Sequence, residues 1–252
     1  TGTRNRFCPD PKIFRESILI HLISDLHLSP EHPEVFDQFG EYLADLNAGE
    51  DLYILGDLFE YWLGDDAVDF LGHAEAQQLL RSLSNRGVKI FFLSGNRDFL
   101  VGEKFADECG IQLIADEHIL KVGQRQVLLM HGDSLCTDDL SHQKFRAMVR
   151  SPGWQKTFLE KTIAERDGLA KLARYHSEDG KAQKNMEIMD VNPEAVRETI
   201  TQHDVEILIH GHTHRPAIHR IECREAAYRV VLGDWTPKPS WIQLTEEGLA
   251  LA

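Results

Sequence analysis

The chain has 252 residues, 42% of them hydrophobic, and a formal net charge of −14. That size and apolar fraction suit one large α/β domain or a domain with a sizeable insertion, and the acidic balance argues against a nucleic-acid partner, whose binders carry a positive footprint. The longest apolar runs are far too short to span a bilayer, and the four scattered cysteines (Cys8, Cys109, Cys136, Cys223), with no CxxC pair, fit free thiols of a reducing cytosol better than a disulfide framework.

Residues 1–17 are polar, carry Pro9 and Pro11, and lack the apolar stretch of a signal peptide, so they read as a loose arm ahead of a domain over 18–252. Ile18–Ile23 then forms an apolar run ending in Ser24-Asp25-Leu26-His27. Phe36 to Leu46 places Phe36, Phe39, Tyr42, Leu43 and Leu46 on one helical face. Leu52–Leu55 runs into Gly56-Asp57, a helix-like stretch follows over Ala74–Leu83, and Ile90–Leu93 runs into Ser94-Gly95-Asn96-Arg97-Asp98. Val127–Met130 ends in His131-Gly132-Asp133, and Ile207–His210 ends in Gly211-His212-Thr213-His214. Short runs of branched and aromatic residues closed by glycine read as buried strands. Their alternation with helices implies a sheet covered on both faces, with ligands bound beyond the strands' carboxyl ends. Tyr228–Leu232 and Trp241–Leu244 read as closing strands, and the isolated histidines His21 and His210 as satisfied core residues.

The stretch 138–188 breaks this alternation and reads as an inserted helical cap, with breaks at Pro152-Gly153 and Asp167-Gly168. From Leu140 to Asn185 it carries ten Lys/Arg against five Asp/Glu, a local charge of +5 in a chain whose remainder is −19. Such a segment suits an anionic partner, a substrate phosphate or a lipid surface, and equally a solvated helix face. Trp154, Phe158, Leu159, Ile163, Leu169 and Leu172 offer apolar surface for a ligand or for packing the cap's own helices.

Asp25, His27, Asp57, Asn96, His131, His212 and His214 supply carboxylate, amide and imidazole donors, a set suited to Mn²⁺, Fe²⁺ or Zn²⁺ rather than Ca²⁺. Seven donors exceed what one open ion needs and suffice for two ions sharing a bridging carboxylate, with Asp57 the natural bridge. Such a centre activates water and neutralises phosphoryl charge, which points to a phosphoester or pyrophosphate hydrolase without a side-chain nucleophile. Glu60, Asp98 and Asp133 are candidates to orient the ligands, with Asp98 and Asp133 equally readable as helix N-caps.

In order, Asp25-Leu26-His27, Gly56-Asp57-Leu58-Phe59-Glu60, Gly95-Asn96-Arg97-Asp98, His131-Gly132-Asp133 and Gly211-His212-Thr213-His214 resemble the calcineurin-like metallophosphoesterases. Leu52–Asp66 (LYILGDLFEYWLGDD), Gly95–Gly102 (GNRDFLVG), Met130–Asp139 (MHGDSLCTDD), Ile188–Asn192 (IMDVN), His210–Pro216 (HGHTHRP) and Arg229–Trp235 (RVVLGDW) resemble its lipid A branch, which hydrolyses UDP-2,3-diacylglucosamine. The resemblance implies an αββα sandwich with an inserted helical cap and two Mn²⁺, one on Asp25, His27, Asp57 and His214, the other on Asp57, Asn96, His131 and His212. It implies a glycolipid nucleotide substrate cleaved at the α-phosphate to UMP and 2,3-diacylglucosamine 1-phosphate, by a cytoplasmic enzyme peripheral on the inner membrane. Carried over by position, the catalytic groups are Asn96, Arg97 and His212. The substrate contacts are Asn96, Arg97, Asp139, Arg174, Ser177, Lys181, Lys184 and His212. The branch often has Asn at Lys181 and Tyr at His142. Many wider relatives carry His where Arg97 stands; guanidinium cannot donate a proton at neutral pH but grips phosphate, which favours pyrophosphate over alkyl-ester cleavage. The same centre serves phosphodiesterases acting on a nucleotide or other phosphoester. A non-catalytic scaffold of the same fold would be expected to lack ligands, and here all seven positions are filled.

Overall fold

The structure, a computed structural model, describes residues 18–182, 190–222 and 227–252, and for 175–182 only the backbone. The arm over 1–17 and the last residues of the expected cap, from 183, lie outside the described residues. The first half runs β1 (Ile20–Ile23), α1 (Pro33–Ala44), β2 (Asp51–Ile54), α2 (Val68–Leu71), α3 (Ala74–Asn85), β3 (Lys89–Phe92), α4 (Glu103–Cys109), β4 (Ile111–Leu113), β5 (Glu117–Val122) and β6 (Arg125–Met130). Four helices follow, α5 (Leu140–Val149), α6 (Pro152–Leu159), α7 (Ile163–Ala182) and α8 (Pro193–His203). The chain closes with β7 (Ile207–His210), β8 (Ala217–Ile221), β9 (Ala227–Val231), β10 (Ile242–Leu244) and β11 (Leu249–Leu251).

All five ligand-bearing runs are strands, but they divide between two sheets rather than sharing one. The first sheet has the order β11-β10-β1-β2-β3-β4 and the second β5-β6-β7-β9-β8. Within them β1, β2, β3 and β4 are mutually parallel, as are β6, β7 and β9. Side chains alternate across each strand, and each face has its own core. From β2 and the residue after it, Tyr53 and Leu55 pack between the sheets against Leu129 and Ile209, while Leu52 and Ile54 face α1, α3 and α4 through Phe39, Leu80 and Phe105. Across β6, Val127 and Leu129 enter the inter-sheet layer, and Leu128 and Met130 meet Val196 and Ile200 of α8. The result is an αββα sandwich, and burial on both faces is why these strands read as unbroken apolar runs.

Between β6 and β7, the chain breaks at Pro152, the first residue of α6, as expected, but α7 continues through Asp167-Gly168. Glycine costs a helix interior about 1 kcal/mol, and neighbouring anchors offset that here. Buried Arg166 reaches the Leu63 carbonyl and both Asp66 oxygens, and Asp167 accepts from Tyr61 Oη at 3.2 Å. A Cβ on Gly168 would meet nothing within 4 Å. Gly168→Ala should therefore stabilise the protein by about 0.5–1 kcal/mol, read as a raised melting temperature; a lower one would contradict this placement.

Among the described residues, five of this segment's ten Lys/Arg pair with carboxylates of the same chain. Arg146 and Arg150 pair with Asp116, Arg146 also with Asp133, Arg166 with Asp66, Arg174 with Glu60 and Lys171 with Asp167. The apolar candidates divide similarly: Phe158 is buried and Trp154 and Ile163 pack on the main core, whereas Leu159, Leu169 and Leu172 are 43%, 44% and 54% exposed. Among the described residues no helix is long and apolar enough to cross a membrane.

Candidate metal centre

Every candidate ligand follows the carboxyl end of a strand: Asp25 and His27 after β1, Asp57 after β2, Asn96 after β3, His131 after β6, His212 and His214 after β7. The two sheets bring these edges together. The His212 amide donates to Asp25 Oδ2 at 2.8 Å, and the Arg97 amide to Asp57 Oδ1 at 2.8 Å. Glycines make that approach possible. A Cβ on Gly211 would fall 1.9 Å from Ser24 Oγ and 2.1 Å from Asp25 Oδ2, and one on Gly95 2.0 Å from Asp57 Oδ1.

The turns that aim these side chains are strained. Among the described residues six non-glycine residues have positive φ, and five are Asp25 (57°), His27 (52°), Asp57 (50°), His212 (64°) and His214 (53°). The sixth, Asp204, ends α8 as a left-handed cap. Each such residue costs on the order of 1 kcal/mol, and strain of this kind persists where surrounding structure imposes it.

Two compact donor groups result, Asp25–His27–His214 and Asp25–Asp57–His131, each with its ligand atoms within 4.8 Å of one another. Asp25 belongs to both. His27 Nε2 and His214 Nε2 face each other at 3.3 Å, and His214 Nε2 lies 3.3 Å from Asp25 Oδ1, a buried oxygen without a hydrogen-bond partner. His131 Nδ1 lies 2.9 Å from the Leu55 carbonyl, which leaves Nε2 facing Asn96 Oδ1 at 3.0 Å and Asp57 Oδ2 at 3.6 Å. The His212 ring meets that of His131 edge-on at 5.1 Å. A buried orphan oxygen and converging imidazole nitrogens form a donor set that fits a divalent cation.

Electrostatics match. Burial opposes ionisation of Asp25, yet His214, 3.3 Å away, and the His131 and His27 imidazoles hold its carboxyl well below the usual range. Burial also disfavours the His131 imidazolium, but the charges of Asp57, Asp25 and Asp133 outweigh it and raise the group to about 9. Burial and the proximity of His131 push His212 far down.

Supporting contacts surround the donors. Glu60 Oε2 is 3.0 Å from His27 Nδ1, and Asp234 Oδ2 is 3.3 Å from His214 Nδ1. Asp98 is no helix cap: one oxygen accepts from the Leu58 amide at 2.7 Å and the other from the Gly95 amide at 2.8 Å, tying the Asp57 loop to the Asn96 loop. Asp133 likewise caps nothing and instead accepts from Arg146 Nε at 2.8 Å. Arg150 was not singled out by sequence, yet it donates to the Ser94 and Gly95 carbonyls from the end of α5. An arginine in a basic helical segment carries no signal of such a role. The Asp234 contact was legible only as part of a Gly-Asp turn after a predicted strand.

Of the expected substrate contacts, Arg97 and Arg174 both reach Glu60 Oε1, at 3.6 and 2.8 Å. Asp139 caps α5, accepting from the His142 amide at 3.0 Å, and the His142 ring lies 5.5 Å from that of His212. Ser177 and Lys181 fall on α7 with side chains outside the described residues, and Lys184 lies outside them altogether. His21 and His210 are core residues, 5% and 0% exposed.

The chain matches the calcineurin-like phosphoesterase family over residues 18–216. A UDP-2,3-diacylglucosamine hydrolase of Chromohalobacter salexigens is 48% identical over 87% of this chain and 90% of its own length. Proteins of the same name from Enterobacter and Escherichia coli O7:K1 are 45% and 43% identical, each over 91% of this chain and 96% of theirs. The chain belongs to the calcineurin-like phosphoesterases, and within them to the family of the UDP-2,3-diacylglucosamine hydrolases.

Proposed function

We propose that this protein hydrolyses UDP-2,3-diacylglucosamine at its α-phosphate, giving UMP and 2,3-diacylglucosamine 1-phosphate, with two Mn²⁺ as cofactors. What supports the reading is the convergence of Asp25, His27, Asp57, His131 and His214 in two compact donor groups, with Asn96 Oδ1 facing His131 Nε2, in a chain nearly half identical to hydrolases named for that substrate. Asp25, His27, Asp57 and His214 would hold one ion, and Asp57, Asn96, His131 and His212 the other. Ions bound there supply charge to the phosphoryl oxygens and a water of lowered pKa.

The protein's own groups do the rest. Arg97, 18% exposed at its side chain and beside Glu60, presents a planar fork to a phosphate. Asn96 offers its amide to the same group, and His212 hydrogen-bonds it from the opposite strand edge. Arg174 reaches in from α7, with Asp139, Ser177, Lys181 and Lys184 as further contacts. Residues 138–188 act as the cap, and exposed Leu159, Leu169 and Leu172, with Leu140, Phe145 and Met148 on α5, give the acyl chains apolar surface. The same surface supports peripheral attachment at the cytoplasmic face of the inner membrane.

Hydrolysis in ¹⁸O-enriched water tests the site of attack. The label should appear in UMP; label in the lipid phosphate would overturn cleavage at the α-phosphate. Arg97 adds a selectivity. A phosphate monoester leaves without much protonation, because its second pKa is near 6, whereas an alkoxide needs an acid that arginine cannot be. Turnover of a simple alkyl phosphodiester should therefore fall at least about 100-fold below that of the UDP-lipid, since general acid catalysis is worth ~10²–10⁴. Equal rates would sink this role for Arg97.

A further inference from the structure

We propose that Glu60 is a positioning residue that couples the seating of α7 to metal binding at His27. The proposal rests on the metal centre described above. Glu60 Oε2 lies 3.0 Å from His27 Nδ1, while Oε1 lies 2.8 Å from Arg174 Nη2 and 3.6 Å from Arg97 Nη1. One carboxylate thus faces a metal-ligating imidazole, a residue of the loop after β3, and the helix over the site. The contact with α7 continues along the Glu60–Asp66 loop. The Arg174 guanidinium sits 5.2 Å above the Tyr61 ring, Tyr61 Oη donates to Asp167, and Arg166 holds the Leu63 carbonyl and Asp66.

A carboxylate 3.0 Å from Nδ1 favours the tautomer that carries its proton there, which leaves the Nε2 lone pair of His27 free for the ion. Seating Arg174 fixes the same carboxylate in the rotamer that receives His27. Each event therefore prepares Glu60 for the other, and such coupling is reciprocal: whatever α7 contributes to metal affinity, metal returns to α7. Among the described residues Arg174 is seen to touch Glu60 and Tyr61 but no metal ligand, and loss of its charge would by itself strengthen cation binding, so weaker binding without it points to the contact through Glu60.

The test uses the full chain, with Mn²⁺ as the probe, calorimetry for affinity and hydrogen exchange over residues 163–174. In the wild type, Mn²⁺ should slow exchange in this part of α7. Glu60→Gln should weaken Mn²⁺ binding about 10-fold, the low end of what partners of ligand imidazoles are worth, and abolish the slowing. Arg174→Gln should also weaken Mn²⁺ binding, about 3-fold or more, within the usual range of site-to-site coupling. Lys171→Gln, whose pairing partner Asp167 is one turn away on the same helix, should change neither. Wild-type affinity in Arg174→Gln, or exchange in α7 indifferent to Mn²⁺ in the wild type, would overturn the coupling while leaving the metal centre standing. A wild type that binds no Mn²⁺ would overturn both. If Glu60→Gln fails to fold by circular dichroism, the Arg174→Gln arm decides alone.

Discussion

Asp57→Asn should leave a folded protein whose kcat/KM on the UDP-lipid is reduced at least about 10³-fold, equivalent to ~4 kcal/mol of lost transition-state stabilisation. The residue is 2% exposed and its two oxygens have different jobs: Oδ1 accepts the Arg97 amide at 2.8 Å, and Oδ2 lies 3.6 Å from His131 Nε2. Asparagine keeps an acceptor for Arg97 and nearly the same volume, so the loop and the core beneath it persist. It lacks the negative charge shared by the two proposed ions and places an amide N–H₂ where a ligand oxygen is needed. The substitution should also remove most of the melting-temperature rise that Mn²⁺ gives the wild type, because ligand-linked stability follows RT ln(1 + [L]/Kd). Activity within 10-fold of the wild type would remove Asp57 from the centre.

Gly211→Ala adds a single methyl group and is expected to be nearly as damaging. That methyl would stand 1.9 Å from Ser24 Oγ and 2.1 Å from Asp25 Oδ2, inside the contact that joins the two sheets at the site. Neither neighbour is a loose side-chain end: Ser24 and Asp25 are both 0% exposed, and Asp25 Oδ2 already takes the His212 amide. The loops must move apart, which costs about 1–3 kcal/mol of stability as overpacking. Displacing Asp25 from His214 by as little as ~1 Å should lower turnover on the order of 10²-fold. Parallel thermal melts and initial rates check both effects. A variant with wild-type activity would show that the close approach at Gly211 is dispensable.

Sequence made the ligand-bearing strands legible because each is covered on both faces, which leaves an unbroken apolar run that ends where the polar turn begins. The same continuity hides which sheet a strand joins, so one covered sheet and two stacked sheets look alike. Strands toward the sheet edges left weaker traces. β5 and β8 have only one fully buried residue between them, and β4, β10 and β11 have three residues each, too few for a period to register. Of these, β10 was found because Trp241 and its apolar neighbours followed a closing strand.

The site divides along a similar line. Donors in local motifs such as Asp25-Leu26-His27 could be read off the chain, since a turn after a strand fixes where they point. Partners supplied by distant segments could not: Arg150 on the Gly95 carbonyl and Asp234 beside His214 depend on the packing of α5 and β9. Asp167-Gly168 misled as a helix break because the local cost of glycine is visible in sequence, whereas the anchors at Asp66 and Tyr61 are about 100 residues away. Within the basic segment, the pairing of Arg166, Arg150, Arg146 and Arg174 with Asp66, Asp116, Asp133 and Glu60 is likewise set by distant segments.

The central claim is most directly tested by following UMP release from UDP-2,3-diacylglucosamine as Mn²⁺ is titrated into chelator-stripped protein. The account predicts no release from the stripped protein and recovery that saturates as two ions bind per chain. Metal-independent release, or no release at any Mn²⁺ concentration from a folded protein, would contradict it.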